Sequence, residues 1–152
     1  MAISYAPKVG EVLECNFGTY KKDNGVADER NYYDGRIPPE MIKSRMVVVL
    51  NGKLGRGCLV VAISSTEFRS SIRDGVHVPL PPDLFRVTDF YDKRDRWAKA
   101  DTIQQVSRNR LFKMKDKDGI FDHYLPRETV TEIQKAVIKS ISANTLLTIN
   151  KD

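Results

Sequence analysis

DGRIPPEMIKSRMVVVLNGKLGRGCLVVAISST, Asp34 to Thr66, is the stretch that decides how this chain folds. It holds two short apolar runs, Met46 to Leu50 and Cys58 to Ile63, separated by a Gly-rich connection. Both runs are rich in Val, too short for an ordinary helix and bounded by turn residues, so each is expected to be a buried strand. The seven residues between them, Asn51 to Gly57, include three glycines and are too few for a parallel crossover. An antiparallel pair is therefore expected, with the start of the first strand beside the end of the second. Glu40, Lys43 and Arg45 precede the first run, and Ser64, Ser65 and Thr66 follow the second. Arg45 and the Ser64 region are expected as neighbours at a sheet edge, where a cation beside hydroxyls suits a phosphate.

A chain of 152 residues is expected to form one domain, spanning 1–152, with a real hydrophobic core. Its 41% hydrophobic and 30% charged residues are ordinary for a soluble globular protein. Between Arg36 and Arg73 stand five Arg and two Lys against Glu40 and Glu67, an excess equal to the net charge of +5 of the whole chain. The basicity is thus local in sequence, which favours a polyanionic partner. The opening MAISYAPKVGEVLEC has no apolar core of signal-peptide length, and no run approaches the roughly 18 apolar residues of a membrane span. No membrane association and a cytoplasmic location are expected. Cys15 and Cys58 fall inside apolar strand patterns, where reduced, buried thiols are expected. Two cysteines without a CxxC and two histidines do not compose a standard zinc site, so neither metal nor cofactor is expected.

Elsewhere the pattern is mostly of strands. In GEVLECNFG, Gly10 to Gly18, Leu13, Cys15 and Phe17 alternate with Glu14 and Asn16, as in a half-buried first strand. Thr19 to Ser44 is a long polar connection with Tyr32, Tyr33 and the Pro38-Pro39 pair, where the tyrosines either pack the loop or stack on bases. Glu67 to Asp74 reads as a charged connection. Gly75 to Leu80 alternates with Val76, Val78 and Leu80 inward, which sets His77 on the opposite, surface side, and its prolines confine it to an edge or an end. Asp89 to Arg96 reads as a solvated excursion, Trp97 to Val106 as a strand, and Asp118-Gly119 as a hairpin signal. Pro126 to Ala143 is the expected helix, with Val130, Ile133, Val137 and Ile141 forming an apolar stripe. Five to seven strands and a terminal helix give a mainly β fold: a small, strongly bent antiparallel sheet or SH3-like barrel with the helix packed on it.

The order of these pieces resembles the MazF/PemK (Kid) family of toxin endoribonucleases, in its longer variants. GEVLECNFG is similar to the family's opening strand. SRMVVVLN, Ser44 to Asn51, resembles its Arg-Pro-Val-Val-Val-Leu-Ser strand, and LVVAISST, Leu59 to Thr66, its Val-Val-Pro-Ile-Thr-Ser strand. WAKADTIQQVSRNRL, Trp97 to Leu111, resembles its Ala-x-x-Asp-Gln-[IV] strand with the basic segment that follows. The likeness runs in order over most of the chain.

The resemblance implies metal-independent cleavage of single-stranded RNA, in which the 2′-hydroxyl attacks the adjacent phosphate and leaves a 2′,3′-cyclic phosphate and a 5′-hydroxyl. The family's catalytic Arg falls on Arg45 and its catalytic Thr on Ser64, with Ser65 as the neighbouring alternative. A Glu that some members carry falls on Glu40, as base or as a support for Arg45. Met46 stands where the family has Pro, and Ser64 keeps the hydroxyl while lacking the methyl that restricts a Thr rotamer. Arg36, Lys43, Lys53, Arg56 and Arg69 are candidate contacts to the RNA backbone, and Asp101 is expected to anchor a turn. A homodimer held in check by a cognate antitoxin is implied as well. Two other functions fit the same fold: a CcdB-like gyrase poison, whose Trp-Gly-Ile ending is replaced here by TLLTINKD, and a non-catalytic RNA-binding barrel.

Overall fold

A computed structural model of the chain describes residues 1–20, 22–23, 26–27 and 35–148. Its strands are β1 (Val12–Asn16), the short β2 (Lys22–Asp23) and β3 (Val26–Ala27), β4 (Ser44–Leu54), β5 (Gly57–Ser64), β6 (His77–Leu80), β7 (Arg96–Ser107), β8 (Leu111–Lys113), β9 (Lys115–Asp116) and β10 (Gly119–Ile120). Two helices accompany them, α1 (Arg69–Arg73) and α2 (Arg127–Ser140). Six strands form one antiparallel sheet in the order β6-β7-β5-β4-β1-β8, while β2–β3 and β9–β10 are separate two-stranded ribbons. The sheet is open: its borders β6 and β8 do not pair, so the bent-sheet expectation holds and barrel closure does not.

Both faces of the central strands are covered, which explains why MVVVL and LVVAI are continuous apolar runs rather than alternating ones. On one face Val12, Met46, Val48, Val61, Ile63, Leu80 and Ala98 pack with Val130 and Ile133 of α2. On the other, Leu13, Cys15, Phe17, Val47, Val49, Cys58 and Val60 form a second cluster, joined by Ile3 with Tyr5 and Met41 against it. Burying each Val or Ile of α2 contributes roughly 2 kcal/mol. The helix starts after Pro126 and carries Glu128 in its first turn, where a carboxylate favours the positive helix end. Its buried stripe is Val130, Ile133 and Ala136; Ile141 lies past the last turn and is exposed, which corrects that member of the expected stripe.

The connection Asn51 to Gly57 is not a loop. The strands run on through it, irregularly paired, to a two-residue turn at Gly55-Arg56, with Leu54 opposite Gly57 and Gly55 at φ +63°. Gly52 lies where the N-terminal arm crosses: a Cβ there would sit 2.0 Å from the Pro7 carbonyl oxygen. The Asp118-Gly119 signal marks a real hairpin, displaced by one residue. Asp116 pairs with Gly119, the turn is Lys117-Asp118, and the Asp116 carboxylate accepts the Asp118 N–H. Residues 67–74, expected as plain connection, contain the short helix α1. Tyr32 and Tyr33 lie outside the described residues.

Candidate phosphate-binding site

The β4–β5 register fixes the geometry around Arg45. Val47 is opposite Ala62 and Val48 opposite Val61, so the same register carried two residues further sets Arg45 opposite Ser64. Neither residue is paired within that ladder: Arg45 is bonded into β1 opposite Cys15, and Ser64 into β7 opposite Trp97. Arg45 shares the parity of Val47, and Ser64 that of Ala62, so both belong to the sheet face opposite α2. Along this end of the sheet the row therefore reads Arg45, Ser64, Trp97, Pro79.

Arg45 is exposed, and its Nε donates to the Ile42 carbonyl at 3.0 Å, which holds the stem. The Ser64 hydroxyl accepts the Thr66 N–H at 3.0 Å. This contact orients the oxygen and leaves its proton free to be donated. Ser65 is exposed beyond the strand end. Glu40 is engaged with its own turn: its carboxylate accepts the Ile37 N–H at 2.7 Å. Lys43, immediately ahead of β4, has φ +70°, pinned by a bond from its N–H to the Gly18 carbonyl and one from the Phe17 N–H to its own carbonyl. A non-glycine residue held in this region marks local strain.

The basic residues that cluster in sequence are divided in space. Lys43 and Arg45 stand at one end of β4, whereas Lys53 and Arg56 flank the turn at the other. Lys53 is eight residue steps along β4 from Arg45, or roughly 26 Å. Arg36 is half-buried, donating to the Met41 carbonyl and to Gln104. Arg69 opens α1, downstream of Ser64.

Sequence reasoning passed over the residues next to Ser64. Trp97 is half-buried beside it, and Lys99, two residues on along the same face, holds its Nζ 4.9 Å from the Phe68 ring centroid. Next to the irregularity in the β5–β7 ladder, the Thr102 hydroxyl accepts a hydrogen bond from the Ala62 N–H at 3.4 Å. The one available signal was that Trp97 is the only Trp in the chain. His77, expected on the surface, is 3% exposed. Phe68 covers it edge-on and Asp101 lies 2.8 Å from its Nε2. The strand alternation was right in placing it opposite Leu80; what buries it is the α1 connection folding over that face. Asp101 thus anchors an imidazole rather than a turn.

Burial pushes the Cys15 thiol up to about 12 and raises that of Cys58, so both are unreactive interior groups. Among the described residues no group of three or more His, Cys, Asp or Glu is placed to hold a metal ion. No described helix is long and apolar enough to cross a membrane.

Residues 8–141 match the family model of the PemK-like, MazF-like toxins of type II toxin-antitoxin systems. The chain belongs to this family. A relative in Escherichia coli (strain K12), YifN, is 51% identical over 148 residues, covering 97% of this chain and 99% of that protein. An uncharacterized protein of Haemophilus influenzae (strain Rd) is 47% identical over 143 residues, covering 94% of this chain and 95% of its own. Among solved structures, MazF from Deinococcus radiodurans aligns with a TM-score of 0.57 at 14% identity, over 91% of this chain and 99% of that one. A mycobacterial endoribonuclease, solved in complex with its cognate antitoxin, aligns at 0.50 and 13% identity over 90% and 94%. At these identities the two structures speak for the fold. For this PemK-like, MazF-like toxin the matched span includes β4 and β5, the two strands that bring Arg45 and Ser64 to one end of the sheet.

Proposed function

We propose that this toxin is an endoribonuclease that cuts single-stranded RNA without a metal. The 2′-hydroxyl attacks the neighbouring phosphorus, the bond to the 5′-oxygen breaks, and the products are a 2′,3′-cyclic phosphate and a 5′-hydroxyl end. The observation that supports this most is the shared row and face of Arg45 and Ser64. In this reading the free guanidinium nitrogens of Arg45 stabilise charge on the phosphorane oxygens, and Ser64 donates to one of them. Ser65 is the adjacent alternative hydroxyl. Glu40 serves as base or positions the backbone before Arg45. A guanidinium, with a pKa above about 12, is better suited to stabilising charge than to giving up a proton.

Arg36 and Lys43 flank this centre, with Arg69 downstream of Ser64, and each contacts a nearby phosphate. Lys53 and Arg56, at the far end of β4, reach phosphates several nucleotides away. The active species in this reading is a homodimer, and the cognate antitoxin is a second chain that covers the basic face. The decisive experiment incubates the purified protein with a long RNA in EDTA and characterises the ends. Discrete fragments with cyclic phosphates, absent with Arg45→Ala, are expected. RNA that is bound but left intact would instead mark a non-catalytic RNA-binding sheet, and intact RNA with arrested gyrase would mark a gyrase poison.

A further inference from the structure

On the face that carries Ser64 and Trp97, one row further along the strands, His77 and Lys99 are register partners across β6 and β7. Phe68 meets both members of this pair. Its ring stands edge-on to the imidazole with the centroids 5.8 Å apart, and the Lys99 ammonium lies 4.9 Å from its centroid. The Asp101 carboxylate is 2.8 Å from the His77 Nε2. A carboxylate only accepts, so Nε2 carries the proton. The other ring nitrogen, Nδ1, is buried without a partner among the described residues, which costs stability that a hydrocarbon side chain would not. What the imidazole adds is a ring plane fixed by Asp101, and with it the angle at which Phe68 docks. Ser65 to Ser70 are all exposed, and α1 buries none of its residues and has no side-chain cap. Phe68 ties this exposed run to the sheet. The run leaves β5 at Ser64, whose hydroxyl accepts the Thr66 N–H, so the placing of Thr66 decides how the Ser64 oxygen points.

We propose that His77, oriented by Asp101, is a positioning residue for Ser64: acting through Phe68, it holds the segment from Ser65 to Phe68 and so aims the Ser64 hydroxyl. The inference deepens the ribonuclease reading and rests on it for what that hydroxyl does. A direct part in the chemistry is excluded by distance. Two strand spacings and two residue steps set His77 on the order of 12 Å from Ser64, whereas proton transfer needs contact at about 3 Å. At 3% exposure the imidazole is also closed to RNA. Its influence on the site therefore passes through the aromatic contact with Phe68 and along four residues of backbone to Ser64. Lys99 reinforces the same contact from the neighbouring strand, since a cation over a ring face is attracted to it.

The test joins NMR relaxation to RNA cleavage kinetics in His77→Ala, Phe68→Ala and Phe68→Tyr. Amides of residues 65–68 are expected at order parameters of about 0.85 in wild type, falling below about 0.6 in both alanine variants. In the same two variants kcat should fall about ten- to a hundredfold, as for a small misplacement of a reacting group. KM should move by less than about twofold, because RNA binding is not touched. Phe68→Tyr keeps the ring and should recover most of both losses. The double alanine variant should be no slower than the slower single one, since both act through one contact. Phe68 is exposed, so its variants keep the fold even if the cavity left by His77→Ala does not, and circular dichroism checks each. Unchanged order parameters in Phe68→Ala would overturn the proposal, as would a rise in KM with kcat unaltered. Loosening of residues 65–68 in a protein that does not cut RNA would refute the ribonuclease reading and leave the hold on the segment standing. Cleavage as fast in Phe68→Ala as in wild type would do the reverse.

Discussion

Ser64 and Trp97 are register partners across the β5–β7 ladder, so a hydroxyl and the chain's one indole stand side by side on the same face of the sheet. On the ribonuclease reading that adjacency separates two roles. Ser64→Ala should lower the cleavage rate with little change in RNA affinity, and Ser64→Thr should restore it. Trp97→Ala should lose about 1–3 kcal/mol of RNA affinity through lost stacking, and Trp97→Phe should recover part of it. Single-turnover cleavage and fluorescence-anisotropy binding measured on the same variants distinguish these outcomes.

Arg45 is exposed and, among the described residues, is held by a bond to the Ile42 carbonyl, so its replacement should spare the fold. Arg45→Ala is expected to lower cleavage by about 10²–10³, the usual effect of removing one charge-stabilising donor. Arg45→Lys should recover little, because an ammonium cannot present the planar pair of donors. Unchanged cleavage in Arg45→Ala would remove Arg45 from the chemistry.

Lys43 occupies a left-handed conformation at φ +70°. The conformation costs a side-chain-bearing residue about 1–2 kcal/mol, partly offset in a Gly variant by greater freedom of the unfolded chain. Lys43→Gly should therefore stabilise by up to about 1 kcal/mol and raise the melting temperature, while RNA binding weakens from the lost charge. A lower melting temperature in this variant would contradict the account.

Gly52 has no space for a side chain, since an added Cβ would meet the Pro7 carbonyl oxygen at 2.0 Å. Gly52→Ala must displace either the arm or the strand, and a loss of about 1–3 kcal/mol is expected, as for an overpacked core. Denaturant unfolding of the variant gives the number directly. Removal of residues 1–8 should make the same substitution far milder.

His123 is stacked on Phe85, edge-on to Phe121, and its Nε2 is buried without a partner among the described residues. Burial holds its pKa below the usual 6.5, and the Leu84 backbone offsets this only in part. Below pH 6.5 the unfolded chain therefore binds a proton that the folded one resists. Stability contributed by the neutral ring is fully present above that pH and is lost as pH falls from 6.5 towards the depressed value. The melting temperature of wild type relative to that of His123→Phe should fall on acidification across this window; parallel curves would exclude His123 as the cause.

Strands β1, β4, β5 and β7 and the helix α2 were legible because their signals are local: periodicity, β-branched runs, and Pro126 before an apolar stripe. What was not legible depends on segments meeting from a distance. His77 alternates as a surface residue should, and only Phe68 folding over it makes it interior. The glycines of Asn51 to Gly57 signal a loop, yet Gly52 serves the close approach of Pro7 and only Gly55 serves a turn. The basic segment from Arg36 to Arg73 is continuous along the chain, while the length of β4 carries Lys53 and Arg56 away from Arg45. Pairing Arg45 with Ser64 needed only the antiparallel arithmetic. Placing Trp97 next to them needed the β5–β7 register, which no local pattern gives.

Both borders of the sheet are blunted. On β8 the Leu111 carbonyl is already taken by the Ile3 N–H at 2.9 Å, and β6 carries Pro79, which has no N–H to offer. A visiting strand would have to dislodge the first residues of the chain or accept a broken ladder. Recognition of this protein is thereby steered away from backbone zippering and onto side-chain chemistry, and the same arrangement guards a Val-rich sheet against fibrillar self-assembly.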